Sequence, residues 1–132
     1  MFKREIKLLS LESLREHEKV IACHLARLME QIKNDGFISH PIIVDRNSMV
    51  ILDGHHRFNT LKMLGLRLCP ACLVDYYGND EVAVGCWREG EKITKEQVIA
   101  AGLSGKLLEP KTSKHTIPDP PEGLKIPLSD LR

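Results

Sequence analysis

The stretch that decides the fold is Val50-Ile-Leu-Asp-Gly-His-His-Arg57, which runs on into Phe58-Asn-Thr-Leu-Lys-Met-Leu-Gly65. Its first three residues form a short apolar run, which predicts a buried strand. Asp53 and Gly54 follow as a turn pair, because glycine reaches backbone angles that other residues avoid. The next residues predict a helix, with Gly65 as its stop and one apolar side made by Phe58, Leu61 and Leu64.

Gly54, His55, His56 and Arg57 therefore occupy a corner where a strand turns into a helix. Free backbone N–H groups and the positive end of the helix dipole point out of such a corner, which makes it suited to an anion. Arg57 adds a guanidinium that can bind phosphate through two parallel hydrogen bonds. The pattern favours a phosphate-binding loop for nucleotide chemistry. The alternative is an ordinary turn with a solvated arginine and two surface histidines.

Composition predicts a single domain over residues 1–132 without a strong charge bias. Charged residues make up 28% of the chain and the formal net charge is +1, which argues against a global electrostatic grip on DNA or membrane. No apolar run approaches the roughly 18 residues that cross a bilayer. The first residues, Met1-Phe-Lys-Arg-Glu, lack the apolar segment of a secretory signal, so we expect a cytoplasmic protein.

The four cysteines raise the question of a metal site, and the pattern predicts none. Cys69 and Cys72 form one Cys-x-x-Cys, without the second pair that a zinc site needs. They lie in an apolar stretch that reads as a strand, where residues three apart point to opposite faces. We expect structural, reduced cysteines.

A long first helix is predicted from Leu14 to Asn34, opened by a capping-box pattern at Ser13-Leu-Arg-Glu16. Its apolar stripe is formed by Ile21, Leu25, Leu28 and Ile32. Extending the stripe backwards reaches Glu18, which would then point inward, where a carboxylate has to be paired or used. Alternatively the helix frays there and Glu18 is solvated.

The remaining chain predicts an α/β (α+β) fold, a small mixed sheet flanked by helices. Further strands are expected at Ile6–Leu9, Pro41–Val44, Cys69–Val74 and Glu81–Trp87, with a capped helix from Thr94 to about Leu103 and an edge strand within Leu124–Leu128. Trp87 is either a core residue or part of a site. A Pro-rich C-terminal segment begins at about residue 110. Its start, Pro110-Lys-Thr-Ser-Lys-His115, reads as a solvated linker or as a second phosphate-binding segment.

Four motifs in this order resemble the ParB/sulfiredoxin superfamily, and more narrowly the archaeal free serine kinases. Asp53 to Arg57 resembles the phosphate corner of that family, and His17-Glu18 its His-Glu pair. Trp87 resembles its active-site tryptophan. Pro110 to His115 resembles its Pro-Lys-Thr-Thr-Arg-His segment.

The resemblance implies a kinase that makes O-phospho-L-serine, a step of cysteine biosynthesis, from free serine with ATP or ADP and Mg²⁺. It implies that Glu18 is the catalytic carboxylate and that Trp87 forms a wall of the substrate pocket. Asp53 either helps to orient the hydroxyl and the metal or fixes the conformation of the loop. The phosphates would be held by the two remaining motifs, Gly54, His55, His56 and Arg57 on one side and Thr112, Ser113, Lys114 and His115 on the other.

The chain also departs from that family. Archaeal serine kinases carry a long insertion after the tryptophan, where this chain has only residues 88–109, and Ser113 and Lys114 replace Thr and Arg. Sulfiredoxins carry their reactive cysteine where His55 stands, so their chemistry is excluded. A ParB-like switch that binds CTP or ATP, or a DNA-associated module, is the alternative, although no basic helical pair follows to read nucleic acid. A kinase for another small hydroxyl compound is a further alternative. The oligomeric state does not follow from the sequence.

Overall fold

A mixed four-stranded sheet forms the centre of the computed structural model, which describes residues 5–78, 82–85, 92–110, 112–116 and 124–132. The helices and strands are, in chain order, β1 (Glu5–Ser10), α1 (Ala22–Asp35), β2 (Phe37–Ile38), β3 (Ile42–Asp45), β4 (Ile51–Asp53), α2 (His55–Met63), β5 (Leu68–Val74), β6 (Ala83–Gly85), α3 (Lys95–Ser104), β7 (Lys114–Thr116) and β8 (Ile126–Pro127). The sheet order is β1-β5-β3-β4, in which β3 and β5 are parallel and the other pairs antiparallel. Two-stranded pairs form between β2 and β8 and between β6 and β7.

Apolar side chains alternate between the two faces of the sheet, so each face carries its own core. One core packs the sheet against α1 and α2 and includes Ile42, Val44, Phe58 and Leu61. The other packs it against α3 and includes Ile43, Leu52, Val74 and Val98. The predicted fold class, a small mixed sheet flanked by helices, is confirmed.

Cys69 and Cys72 are both fully buried in β5 and belong to different cores. The prediction that they face opposite sides of the sheet is therefore confirmed. No group of three His, Cys, Asp or Glu side chains that could hold a metal ion occurs among the described residues.

The predicted start of the first helix is wrong, because α1 begins at Ala22 and not at Leu14. The chain before it is extended and bonds to distant segments instead of to itself. Arg15 donates its N–H to the Met49 carbonyl at 2.9 Å and accepts from Ile51 N–H at 2.8 Å. Further on, Lys19 N–H donates to the Leu108 carbonyl at 2.8 Å. These bonds occupy groups that a helix would need, so residues 14–21 lie across the molecule as a strap.

The other element predictions agree closely with the structure. β4, the corner and α2 follow one another as expected, and α3 begins with the predicted capping box of Thr94 and Gln97. The apolar stripe of α1 lies against the fold, with Ile32 buried and Ile21, Leu25 and Leu28 partly buried. The predicted strand over Glu81–Trp87 is seen at Ala83–Gly85, and Glu81 and Trp87 lie outside the described residues. β8 is the expected edge strand.

Candidate active site

The corner between β4 and α2 is shaped by Gly54, whose φ of 100° lies in the left-handed region. A Cβ at this position would lie 2.6 Å from Cγ2 of Ile42, so backbone and packing both require glycine. The first helical bond runs from Phe58 N–H to the Gly54 carbonyl at 2.9 Å. The N–H groups of His55, His56 and Arg57 thus belong to the first helical turn, where a helix offers no acceptors of its own. Such a turn can bind an anion.

A pocket with a volume of ≈ 480 Å³ opens at this corner. Three segments that are distant in sequence form its wall: Glu18 to Leu28, Leu52 to Arg57, and Ser113 to His115. The volume lies within the range of about 300–1,000 Å³ that is typical of small-molecule sites. The structure therefore brings together, around one cavity, the carboxylate, the corner and the C-terminal motif that the sequence singles out.

The two histidine rings of the corner accept hydrogen bonds from the strap. Nε2 of His55 accepts from the N–H of His17 at 3.1 Å, and Nε2 of His56 accepts from the N–H of Ile21 at 2.9 Å. An accepting nitrogen carries no proton, so both rings are neutral in this arrangement. Burial lowers the pKa of both side chains, most strongly that of His55. These Nε2 atoms are therefore engaged in holding the strap.

The Glu18 carboxylate is fixed through one oxygen. Its Oε1 accepts hydrogen bonds from Thr112 N–H at 3.1 Å, Ser113 N–H at 2.8 Å and Ser113 Oγ at 2.9 Å. Oε2 has no hydrogen-bond partner among the described residues, and Glu18 lines the pocket. The residue does face the interior, although it lies in an extended strap and not on a helical stripe. One oxygen is thus used for orientation and the other is available to a ligand.

His17 lies fully buried behind Glu18. Its Nδ1 lies 2.6 Å from the carbonyl oxygen of Ile51 and its Nε2 lies 2.8 Å from Ser113 Oγ. Burial lowers the pKa of His17, while the Ile51 carbonyl and Glu18 act in the opposite direction. The ring packs edge-on against His55, with 4.5 Å between centroids.

The segment with Ser113 and His115 is not a solvated linker. Ser113 is buried, and Lys114 to Thr116 form β7, which pairs with β6. Nε2 of His115 lies 2.7 Å from the hydroxyl of Tyr76, and burial lowers the pKa of this histidine to about 3. The main-chain N–H groups of Thr112 and Ser113 donate to the Glu18 carboxylate, so these two residues fix its orientation. Lys114 and His115 line the pocket as well.

Comparisons with known proteins give relatives in sequence, and no protein-family model matches the chain. It is 41% identical over 87 residues to a ParB-like protein of Sulfolobus acidocaldarius, covering 66% of this chain and 43% of that protein. It is 33% identical over 112 residues to a protein of Staphylothermus marinus named ATP-dependent L-serine kinase, covering 75% of this chain and 44% of that protein. The chain thus spans less than half the length of these curated relatives.

Among solved structures, a free serine kinase in complex with AMP superimposes with a TM-score of 0.88 and 18% identity, covering 99% of this chain and 95% of the other. This chain has the fold of a free serine kinase. Three of the four motifs that the sequence singles out, all but the tryptophan, contribute residues to one pocket.

Within the serine kinase fold, Asp53 and Arg57 lie at the pocket and Trp87 lies outside the described residues. Burial lowers the pKa of Arg57 and the nearby Asp53 carboxylate raises it, but a guanidinium stays charged at physiological pH. Asp53 is exposed at the rim. The pair therefore presents a positive charge beside the helix N-terminus and a carboxylate near the entrance.

Sequence reasoning left His17 and Tyr76 out of the site. His17 stands next to Glu18 in the His-Glu motif, which is the signal that could have included it. Tyr76 follows directly after β5, but its contact with His115 joins positions 39 apart in the chain and carries no local signal. Among the described helices of this serine kinase fold, none is both long and apolar enough to cross a membrane.

Proposed function

We propose that this chain phosphorylates the hydroxyl of free L-serine, with ATP or ADP as donor, to give O-phospho-L-serine. The observation that carries the proposal is Glu18, a carboxylate held by three hydrogen bonds to Oε1 with Oε2 available, in the wall of the pocket that contains the anion-binding corner. The names of the relatives and the serine kinase fold support the same activity.

In this proposal the corner holds the donor phosphates through the N–H groups of the first turn of α2 and through Arg57. Lys114 and His115 approach them from the opposite wall. The acceptor hydroxyl lies at Oε2 of Glu18, which takes its proton as the oxygen attacks phosphorus. Phosphoryl transfer needs positioning and charge neutralisation more than covalent help from the protein, and these residues supply both. Trp87 as a wall for serine stays a prediction.

Magnesium is part of the proposal, and the donor set is compatible with it. Mg²⁺ is usually bound by one or two carboxylates together with substrate phosphates, and Asp53 offers such a carboxylate at the pocket rim. When bound, Mg²⁺ neutralises charge on the phosphates. We also propose a cytoplasmic setting, where the nucleotide and free serine are present.

The first test incubates the protein with serine, Mg²⁺ and each of ATP, ADP and CTP, and detects phosphoserine by mass spectrometry. We expect phosphoserine with ATP or ADP. Parallel reactions with threonine and glycerol test for another hydroxyl acceptor. The relative named ParB-like favours one second candidate, a nucleotide-binding switch. Nucleotide binding by calorimetry without any phosphorylated product would support that switch and contradict the kinase.

The same assay with Glu18→Gln tests the proposed base. Loss of a positioned general base lowers turnover by about 10²–10⁴-fold. The phosphates are bound by other residues, so nucleotide affinity should stay close to that of the unmodified protein. Glu16→Gln is the matched control, because Glu16 lies on the same strap but bonds to Asn59 and lies outside the candidate pocket. Near-normal turnover in Glu18→Gln would contradict the mechanism.

A further inference from the structure

Three contacts join Glu18, Ser113, His17 and the Ile51 carbonyl into one chain that runs from the pocket wall into the buried interior. Ser113 Oγ lies 2.9 Å from Glu18 Oε1 and 2.8 Å from His17 Nε2, and His17 Nδ1 lies 2.6 Å from the Ile51 oxygen. Each contact has the length of a hydrogen bond, so each needs one hydrogen between its two heavy atoms.

The number of hydrogens in this chain is set by its chemistry. The Ile51 carbonyl can only accept, so His17 Nδ1 must carry a proton. The neutral ring then has a bare Nε2, and burial, which lowers the pKa of His17, favours that neutral form. The Ser113 hydroxyl has one hydrogen but faces two acceptors, Glu18 Oε1 and His17 Nε2. When Glu18 is ionised, neither acceptor carries a hydrogen, so only one of the two contacts of the Ser113 hydroxyl can be a hydrogen bond.

The charge on Glu18 decides which contact the hydroxyl makes. A carboxylate is the stronger acceptor while it is ionised, since hydrogen bonds to charged groups are roughly twice as strong as neutral ones. Once Oε2 carries a proton, Oε1 is a weak carbonyl-type acceptor and the imidazole nitrogen becomes the better partner. By this count His17 Nε2 faces the hydroxyl oxygen without a hydrogen between them before proton uptake, and it accepts a hydrogen bond afterwards. Unpaired buried polar atoms are costly, so this gain offsets part of the cost of protonating Glu18.

We propose that Ser113 and His17 are positioning residues that follow the protonation state of Glu18. Before transfer the Ser113 hydroxyl donates to Oε1 and leaves Oε2 for the acceptor alcohol; after transfer it turns to His17. This inference rests on the proposed function of Glu18. The hydroxyl proton moves to Oε2, the alcohol oxygen forms its bond to phosphorus, and the bond from phosphorus to the nucleotide oxygen breaks with its electrons on the nucleotide. No proton leaves Ser113 or His17.

The surroundings of His17 are suited to this role. The rings that face it are His55 from α2, at 4.5 Å, and His115 from β7, at 5.7 Å, and Glu18 adjoins it in the strap. Burial lowers the pKa of both neighbouring histidines, so neither places a positive charge beside the ring at neutral pH. Glu18, which accepts from the Ser113 hydroxyl, is the charged side chain that acts on the pKa of His17.

Kinetics of paired variants separate this role from simple packing. Ser113→Ala removes the hydroxyl and should lower kcat roughly ten- to hundredfold with little change in the KM for nucleotide, whereas Ser113→Thr keeps the hydroxyl and should recover most of the loss. For His17, the relative kcat of the two variants His17→Asn and His17→Gln tests the proposal. Asn replaces the Nδ1 donor to Ile51 but has no group at Nε2, and Gln places an acceptor near Nε2. We expect His17→Gln to be faster than His17→Asn. The reverse order would indicate a structural role and overturn the proposal.

A second readout does not depend on kinase activity. Nitrogen-15 NMR of the full chain at pH 7 should show His17 protonated at Nδ1 and bare at Nε2. In Glu18→Gln the neutral amide should release the hydroxyl, so the Nε2 resonance should shift as it does when that nitrogen accepts a hydrogen bond. The double variant with Ser113→Ala should lose the shift. An unchanged His17 Nε2 resonance in Glu18→Gln, or a proton on Nε2 at pH 7, would refute the reorientation of the Ser113 hydroxyl. If the shift is seen but the unmodified protein forms no phosphoserine, the kinase activity is refuted and the reorientation of the Ser113 hydroxyl is still supported.

Discussion

At the scale of single residues, Arg57 sets the charge of the pocket. It lies in the first turn of α2, so in the proposed complex its guanidinium and the main-chain N–H groups there contact the same phosphate. Asp53, four positions earlier on β4, provides a countercharge while the pocket is empty of ligand. A phosphate that displaces this carboxylate would gain charge-assisted hydrogen bonds in a partly dry setting.

Arg57→Ala should therefore weaken nucleotide binding by about 1.5–3 kcal/mol, as measured by calorimetry. Arg57→Lys keeps the charge but cannot form two parallel hydrogen bonds, so its nucleotide affinity should lie between those of Arg57→Ala and the unmodified protein. Arg67→Ala is the control, because Arg67 is exposed and lies outside the candidate pocket. Equal affinity in Arg57→Ala and the unmodified protein would exclude the corner as the phosphate site.

Glu18 shows how far the sequence leads at this scale. Periodicity left open whether it faces inward or is solvated, and the resemblance suggested its role. The inward direction comes from bonds to Thr112 and Ser113, which are 94 and 95 positions away. The sequence predicts the two histidines of the corner as phosphate ligands, which stays a prediction, and it gives no sign that their Nε2 atoms hold the strap. Residue type indicates which chemistry is possible, while the partner that uses it is decided by tertiary contacts.

At the scale of elements, the junction of β4 and α2 depends on a glycine. A side chain at Gly54 would have to adopt a φ of 100° and also displace Ile42. The corner and its N–H groups are therefore coupled to the packing of β3 beneath them.

Gly54→Ala should lower the free energy of unfolding by about 2–4 kcal/mol, from backbone strain and overpacking together. Urea unfolding measures this value. Gly65→Ala is a matched control, since Gly65 also has a positive φ, of 74°, but has nothing within 4 Å of an added Cβ. The control should cost about 1–2 kcal/mol. Equal losses would mean that contact with Ile42 contributes nothing.

The strap shows what local pattern cannot predict. Its residues have no Gly or Pro to stop a helix, and Ser13 to Glu16 fits a capping box. No helix forms here because the main chain of Arg15 and Lys19 bonds to residues near positions 50 and 108. In addition, the rings of His55 and His56 accept hydrogen bonds from the N–H groups of His17 and Ile21. The four strands of the central sheet, the corner and α3 carry strong local signals and were predicted correctly, whereas the short strands β2 and β7 were not predicted.

At the scale of the whole molecule, four buried or partly buried histidines make the free energy of unfolding depend on pH. Burial lowers the pKa of His17, His55, His56 and His115, the last to about 3. In the unfolded chain these side chains return to an ordinary pKa of about 6.5. Below that pH the unfolded chain binds more protons than the folded one, so the stabilising contribution is complete above about 6.5 and is lost as pH falls toward the lowered values.

The free energy of unfolding should therefore fall between pH 7 and pH 5, where most carboxylates stay ionised. The limiting slope is about 1.4 kcal/mol per pH unit for each histidine that titrates only on unfolding. Urea unfolding at several pH values measures it. In His56→Gln an amide oxygen can still accept from Ile21, and the slope should decrease by the share of one histidine. A flat profile in the unmodified protein would contradict the protonation states assigned to these rings.

The hydrogen bonds from Ser113 to Glu18 also bear on the order in which the molecule forms. They join positions 95 apart, and closing a loop of that length costs roughly 4 kcal/mol of chain entropy by the (3/2)RT ln n relation. The hairpin of β3 and β4 and the helices close much shorter loops and can form while residue 113 is still free. The carboxylate is then oriented late in folding, and displacement of the segment Thr112–Ser113 alone would release it. An otherwise folded molecule that has lost this segment would keep the corner between β4 and α2 but not the hydrogen bonds that orient the Glu18 carboxylate.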